Sequence, residues 1–285
     1  MLSIAQRNLR LFFRDKTAVF FSLLSVLIII GLYVLFLGDT ITSGMGEAGE
    51  NARFLVDSWI MAGLLAITSM TTTMGAFGVM IDDRHLKIMK DFSASPLKRS
   101  SLVGGYITSS LMIGIIISLI TLVLAELYIL AYGGELLSLL NVFKVLGLIV
   151  LSVLSSCAMM FFFVSFLKTP NSFATASTVM GTLIGFLTGI YIPIGNLPEA
   201  VQFVVKIFPV SHAGALFRQV MMEEPMAEVF ANAPADAVDS FREMMGVTYS
   251  FGDYQLTPLI HILILIASAA LFYGLAIFNV SRKSK

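Results

Sequence analysis

Charge is scarce in this chain. Asp, Glu, Lys and Arg make up 13% of its 285 residues, about half the share of a soluble domain. Cys157 is the single cysteine, so no internal disulfide can form and a packing role is expected for it. No glycine is followed by lysine, which excludes a P-loop. Any nucleotide that energises this protein is therefore hydrolysed by another polypeptide. The patterns His-Glu-x-x-His, Cys-x-x-Cys and Gly-x-Ser-x-Gly are missing too. The three histidines, His85, His212 and His261, are scattered, and Ser211-His212 reads as a helix-start cap followed by an ordinary histidine. No catalytic residues, metal ligands or cofactor-binding residues are expected in this chain.

What the chain has in excess is apolar sequence, 57% of residues with a mean hydropathy of +0.90. Six stretches could cross a bilayer: 17–37, 58–81, 102–130, 142–167, 173–194 and 259–280, each of 21 to 29 residues. About 20 helical residues cover a hydrocarbon core of about 30 Å. The runs are continuous rather than alternating, so helices and not a barrel satisfy the backbone in lipid. The expected fold is an all-α integral membrane protein of six transmembrane helices, one transmembrane domain over 1–285. The first run is too long for a signal peptide core and follows 16 residues with four basic side chains, so it reads as an uncleaved anchor.

The net charge is zero, yet it is polarised. With the N-terminus inside, the segments 1–16, 82–101, 168–172 and 281–285 hold 13 of the 18 basic residues against four acidic ones, Asp15, Asp82, Asp83 and Asp91. Basic residues in short loops stay cytoplasmic, so both termini of this multi-pass protein are expected in the cytoplasm and the chain in the cell membrane. No nucleic-acid partner is expected. Ion-coupled carriers place ionisable groups at mid-membrane, but here only Glu126 lies within a span, near its outer end, as an interfacial, hydrogen-bonded or snorkelling carboxylate. Lys144 has the same interfacial character.

Small and hydroxyl residues are unevenly shared. The second span carries Ser58, Gly63, Thr68, Ser69, Thr71, Thr72, Thr73, Gly75 and Gly78; the fifth carries Thr175, Ser177, Thr178, Gly181, Thr182, Gly185, Thr188 and Gly189. Such residues permit close helix packing with hydroxyls bonded to their own helix. The alternative puts Thr68, Thr72, Gly75, Thr178, Gly181, Thr182, Gly185 and Gly189 beside a translocation route or a subunit seam, with Gly181, Gly185 and Gly189 as one stripe. Spans one, four and six, rich in Leu, Ile and Phe, are expected at the lipid-facing periphery.

Residues 1–16 place Ile4, Leu11 and Phe12 at helical spacing beside Arg7, Arg10 and Arg14, as suits an interfacial amphipathic helix. The inner loop 82–100 begins with Asp82 and Asp83, which suit a helix start. Leu86, Met89 and Phe92 then form an apolar edge, broken at Ser95-Pro96. Such an element is a plausible lever for a soluble partner. In the outer segment 195–258, Pro198 and Pro209 bracket a short helix, Glu199–Phe208, with Val201, Val204, Val205 and Phe208 on one face. His212–Met222 is a returning helix, and only partial order is expected from Glu223 to Asp253.

This order of elements, with Ser95-Pro96-Leu97-Lys98-Arg99 closing the inner loop, resembles the permease subunits of type-2 ATP-binding-cassette exporters, the drug and polysaccharide exporter family, over essentially the whole chain. The resemblance implies separate ABC ATPase subunits that bind ATP and Mg, and a second permease subunit, either another copy or a related chain. It also implies ATPase-coupling roles for Arg7, Arg10, Arg14, Asp83, Arg84, Leu86, Met89 and Phe92, and a helical hairpin capping the route outside. The inner loop departs from the family pattern, with Asp83-Arg84-His85 and no nearby glycine where an acidic-Arg-acidic start and a glycine are common. The importer signature, a Glu-Ala-Ala run with a glycine, is absent. Few aromatics lie on the route (Phe77, Phe173, Phe186, Tyr191), which favours an amphipathic cargo such as a drug, antibiotic, peptide or lipid over a polysaccharide. A membrane scaffold or sensor without transport is the alternative.

Overall fold

The computed structural model describes residues 1–32, 49–94, 97–252 and 254–282. The expected end of the first span, the Ser95-Pro96 break, Asp253, Lys283 and Lys285 lie outside these residues. The described chain is mostly helical. Helix α1 (Leu2–Arg14) leads into α2 (Lys16–Leu32). Helix α3 (Gly49–Ala76) is followed by α4 (Gly78–His85) and α5 (Ile88–Ala94). Then come α6 (Arg99–Ala131), α7 (Leu139–Val164) and α8 (Pro170–Leu187). The next segment holds α9 (Glu199–Ile207), α10 (Pro209–Met221), α11 (Glu223–Val229) and α12 (Ala235–Met244). A two-stranded antiparallel hairpin, β1 (Ser250–Phe251) with β2 (Tyr254–Gln255), precedes the last helix, α13 (Pro258–Arg282).

Four stretches among the described residues are long and apolar enough to cross a membrane: Ala52–His85, Ser100–Ala131, Leu139–Val164 and Pro258–Asn279. The bent pair α9 and α10, meeting at 86°, could make a fifth. The expected first span is described only as the 17 residues of α2. The expected fifth is an 18-residue helix, α8, diluted by Pro170, Asn171 and its hydroxyls. It starts three residues earlier than read, because Thr169 and Ser172 form a capping box ahead of Pro170. It ends earlier because Gly189 adopts a left-handed φ of 68°.

Burial does not follow the hydropathy ranking. The span Ala52–His85, the least hydropathic of the four, is 78% buried at its most apolar window and is the central helix of the bundle. The Leu139–Val164 span, expected at the periphery, is 61% buried, more than the 50% of Ser100–Ala131. Its serines take part in that packing. Ser152 and Ser156 meet Ser69 at 2.7 and 3.2 Å, and Ser155 meets Ser268 at 2.8 Å. These bonds tie α7 to α3 and α13, and hydroxyls in an apolar medium are held where they find partners. Only 28% of the Pro258–Asn279 window is buried, which fits its expected peripheral place.

Two further expectations are corrected. Asp82 and Asp83 do not start a helix; they end α4, which Leu86 terminates, and Lys87 turns the chain with a φ of 62° before α5 begins. The segment after Met222 is ordered over its described length as α11, α12 and the β-hairpin, and Trp59 anchors it by donating to the Met245 carbonyl at 2.7 Å.

Candidate functional site

Two places join the elements that sequence reading singled out. The first is the junction beneath α3. Asp83, at the end of α4, is buried, and its carboxylate accepts from both Arg7 nitrogens, Nη1 at 2.7 Å and Nη2 at 2.8 Å. The Tyr106 hydroxyl of α6 donates to the same Oδ2 at 2.5 Å. Such a bidentate, charge-assisted pair is among the stronger polar links available to a protein. Its hydrogen bonds raise the pKa of Arg7 above the usual guanidinium value. Asn8 extends the junction by donating to Ser109 at 3.3 Å, and Arg7 stands 5.4 Å from the Phe92 ring centroid. Three helices and the inner loop are thus clamped together by one carboxylate.

The close approach of α1 to α6 depends on glycine. A Cβ on Gly105 would sit 2.6 Å from Ile4. The buried face of α1 is Ile4, Ala5, Asn8 and Phe12, whereas Leu11, expected with them, is exposed. Arg84 donates to the Leu167 carbonyl at 3.0 Å, closing the chain just past the last turn of α7. Met89 and Phe92 turn inward against the core, while Leu86 is 66% exposed. Of the eight expected coupling residues, Arg10, Arg14 and Leu86 present exposed side chains.

The second place is a cavity of about 370 Å³ between α1, α2, α3 and α8, with Thr71, Met74, Gly75, Ser177 and Gly181 in its wall. Gly75 and Gly181 are the two expected route residues that it brings together. A Cβ at either would meet nothing within 4 Å. Thr68 and Thr72 are buried instead, and Thr72 donates to the Thr68 carbonyl at 2.5 Å. Thr178 and Thr182 are exposed and donate to their own helix at 3.1 and 2.9 Å. The glycine stripe does not run on: the Tyr191 ring fills the space at Gly185, and Gly189 lies beyond the helix end.

At the end of the bundle opposite α1, the residues that matter were missed in the sequence. Arg218 of α10 is fully buried and donates from Nη2 to the Thr188 carbonyl at 2.8 Å and from Nη1 to the Gly246 carbonyl at 3.4 Å. Its guanidinium lies 4.9 Å over the Trp59 ring. Beside it, His212 and His261 share an Nδ1···Nδ1 hydrogen bond of 2.7 Å, flanked by Tyr249. Ser211 is no partner of His212 and no helix cap, since its hydroxyl donates to the carbonyls of Val205 and Phe208. The only sequence hint was an arginine and two histidines left in otherwise apolar helices. In α9 just Val205 is fully buried, and Val201 and Val204 are exposed.

Glu126 accepts from the Leu137 amide at 3.0 Å, the hydrogen-bonded carboxylate expected of it, and Cys157 is fully buried. Among the described residues no group of three or more His, Cys, Asp or Glu side chains could hold a metal ion. The arrangement is that of a polar, jointed helix bundle with a clamp at one end and a buried cap at the other.

A comparison with individually curated proteins finds no match. Compared with protein families, residues 37–278 match the ABC-2 family transporter proteins. That match spans all the elements from α3 to the body of α13, so this multi-pass membrane chain belongs to the ABC-2 type transporter permease family, whose members work with an ABC ATPase.

Proposed function

We propose that this chain is the permease half of an ATP-driven exporter in the cell membrane. Two copies, or one copy and a related chain, enclose a route for an amphipathic small molecule such as a drug, antibiotic, peptide or lipid. In this reading α2 and α8 complete six spans, both termini are cytoplasmic, and α9 and α10 form a re-entrant outer hairpin. ATP and Mg are bound by the partner ATPase alone, and no ATP hydrolysis is carried out by this chain.

The observation that carries the reading is the Arg7–Asp83–Tyr106 clamp. It couples the surface helix and the inner loop to α6 and to the helix running into the 370 Å³ cavity. A push on exposed Arg10, Arg14 or Leu86 therefore reaches the walls of that cavity as one rigid displacement. The exposed face of α8, with Thr178, Val179 and Thr182, suits the seam against the second subunit. Its hydroxyls are internally bonded and need no partner.

The test is purification of the chain with its ATPase, followed by ATP-dependent uptake of a fluorescent amphiphile into inside-out vesicles. Thr178→Cys, with Cys157 buried and unreactive, is expected to cross-link two copies. Transport by the isolated chain without any nucleotide-binding partner would overturn the reading.

A further inference from the structure

A second, larger cavity of about 1020 Å³ opens at the end of the bundle opposite α1, away from α2 and α8, and no part of the transport reading uses it. Its walls come from the first half of α7, the second half of α10, α11, α12 and the start of α13. Leu148, Leu151, Val220, Met226 and Ile262 give it an apolar lining. Pockets of about 300–1000 Å³ hold drug-sized ligands, so the space suits an elongated one.

The lining also carries two cations, Lys144 and Arg242, and one carboxylate, Glu223. Each cation is held loosely by protein. Lys144 meets Glu223 at 3.3 Å and Arg242 meets Asp239 at 3.8 Å, all four side chains being well exposed. Exposed pairs of this kind are weak and exchange readily. Lys144 also donates to Asn141 at 2.8 Å. Thr248 lines the cavity with a buried hydroxyl that bonds to nothing in the protein and can donate to an anionic oxygen. Buried polar atoms without partners are costly, and a ligand that supplies the bond removes the penalty.

We infer that this cavity binds a single-chain amphiphile with an anionic head, carboxylate or phosphate, held at Lys144 and Arg242 with its chain along Leu148, Leu151 and Ile262. The two loosely paired cations select the head, and the apolar lining selects the tail. Binding here needs neither ATPase nor transport, so it stands apart from the exporter reading.

Trp59 is the single tryptophan of the chain and is bonded to Met245, two residues before the lining residue Val247. It serves as an energy donor. The full chain in phosphatidylcholine nanodiscs is titrated with dansylaminoundecanoic acid and with a trimethylammonium-headed counterpart. Saturable Trp59-sensitised emission is expected for the carboxylate probe, weakened about tenfold in Lys144→Gln and in Arg242→Gln, the loss typical of a charged hydrogen bond. Gly147→Phe blocks the cavity without disturbing the fold, because a side chain there enters open space with nothing within 4 Å of its Cβ; it is expected to abolish the signal. Competition by dodecanoate or by dodecyl phosphate tells which head is preferred, and displacement by either supports the site. Equal binding of the cationic probe, or unchanged binding in Gly147→Phe, overturns it.

Discussion

The Arg218 guanidinium lies 4.9 Å from the centroid of the Trp59 ring, fully buried, and the hydrogen bonds it donates run to backbone carbonyls. The charge is met by a π face and by two such oxygens, those of Thr188 and Gly246. One side chain thus holds the end of α8, the centre of α3 and the turn before the β-hairpin in a single arrangement.

Replacing Arg218 by Met keeps much of its volume and removes every donor. Two carbonyls are then left unpaired inside the fold, for an expected loss of about 2–4 kcal/mol. Thermal unfolding of the purified chain followed by circular dichroism measures this. Arg218→Lys is expected to rescue only part, since a single ammonium cannot span both carbonyls in the plane that stacks on Trp59. A full rescue by lysine would mean that charge alone matters.

The Arg7–Asp83 pair is bidentate and half-shielded, between a surface and a buried ion pair. Arg7→Ala, Asp83→Asn and the double variant form a cycle whose coupling energy is expected to be about 2 kcal/mol. In the complex with the ATPase the single variants are expected to hydrolyse ATP while transporting poorly. Transport that falls only in proportion to hydrolysis would leave the clamp a mere stabiliser.

His212 and His261 make one bond to each other, and each is buried. Changing His212 alone to Phe leaves the nitrogen of His261 without its partner and is expected to destabilise by about 1–3 kcal/mol. Changing both rings to Phe removes the orphan along with the bond, so the double variant is expected to be more stable than the sum of the singles. Melting temperatures of the three variants decide it.

Glycine substitutions separate packing from passage. Gly105→Ala drives a Cβ to within 2.6 Å of Ile4 and is expected to loosen α1 from α6, detectable as faster proteolysis of the N-terminal helix. Gly181→Leu enters open space, so expression and melting should be unchanged while transport falls as the 370 Å³ cavity fills. Unaltered transport in Gly181→Leu would remove that cavity from the route.

The helices themselves were legible because lipid leaves the backbone no alternative to internal hydrogen bonds, and a run such as Leu102–Leu130 declares its solvent by composition. The Pro198 and Pro209 boundaries were legible for a similar local reason: proline ends the preceding element and pre-sets the first turn of the next helix. The clamp was half legible. Arg7, Asp83 and Phe92 were singled out one by one, yet Tyr106 was not, and nothing in 76 residues of separation announces that Arg7 and Asp83 meet. The hydroxyls of the second span looked alike in sequence, but the structure divides them between a serine linked to α7, threonines bonded within their own helix and, among these, Thr71 in the wall of the 370 Å³ cavity.

Sequence alone determined the solvent, the helical state of the chain, the lack of a P-loop and the segregation of its charge, because each depends on composition or on spacing within one segment. Tertiary structure decided which apolar helix is central, which glycines are open, and that Arg218, Trp59 and the two histidines belong together. The physical reason is that helices in an apolar medium are all equally greasy outside. Their arrangement is set by a few directional polar bonds between distant residues, and such bonds exist only once the chain has folded.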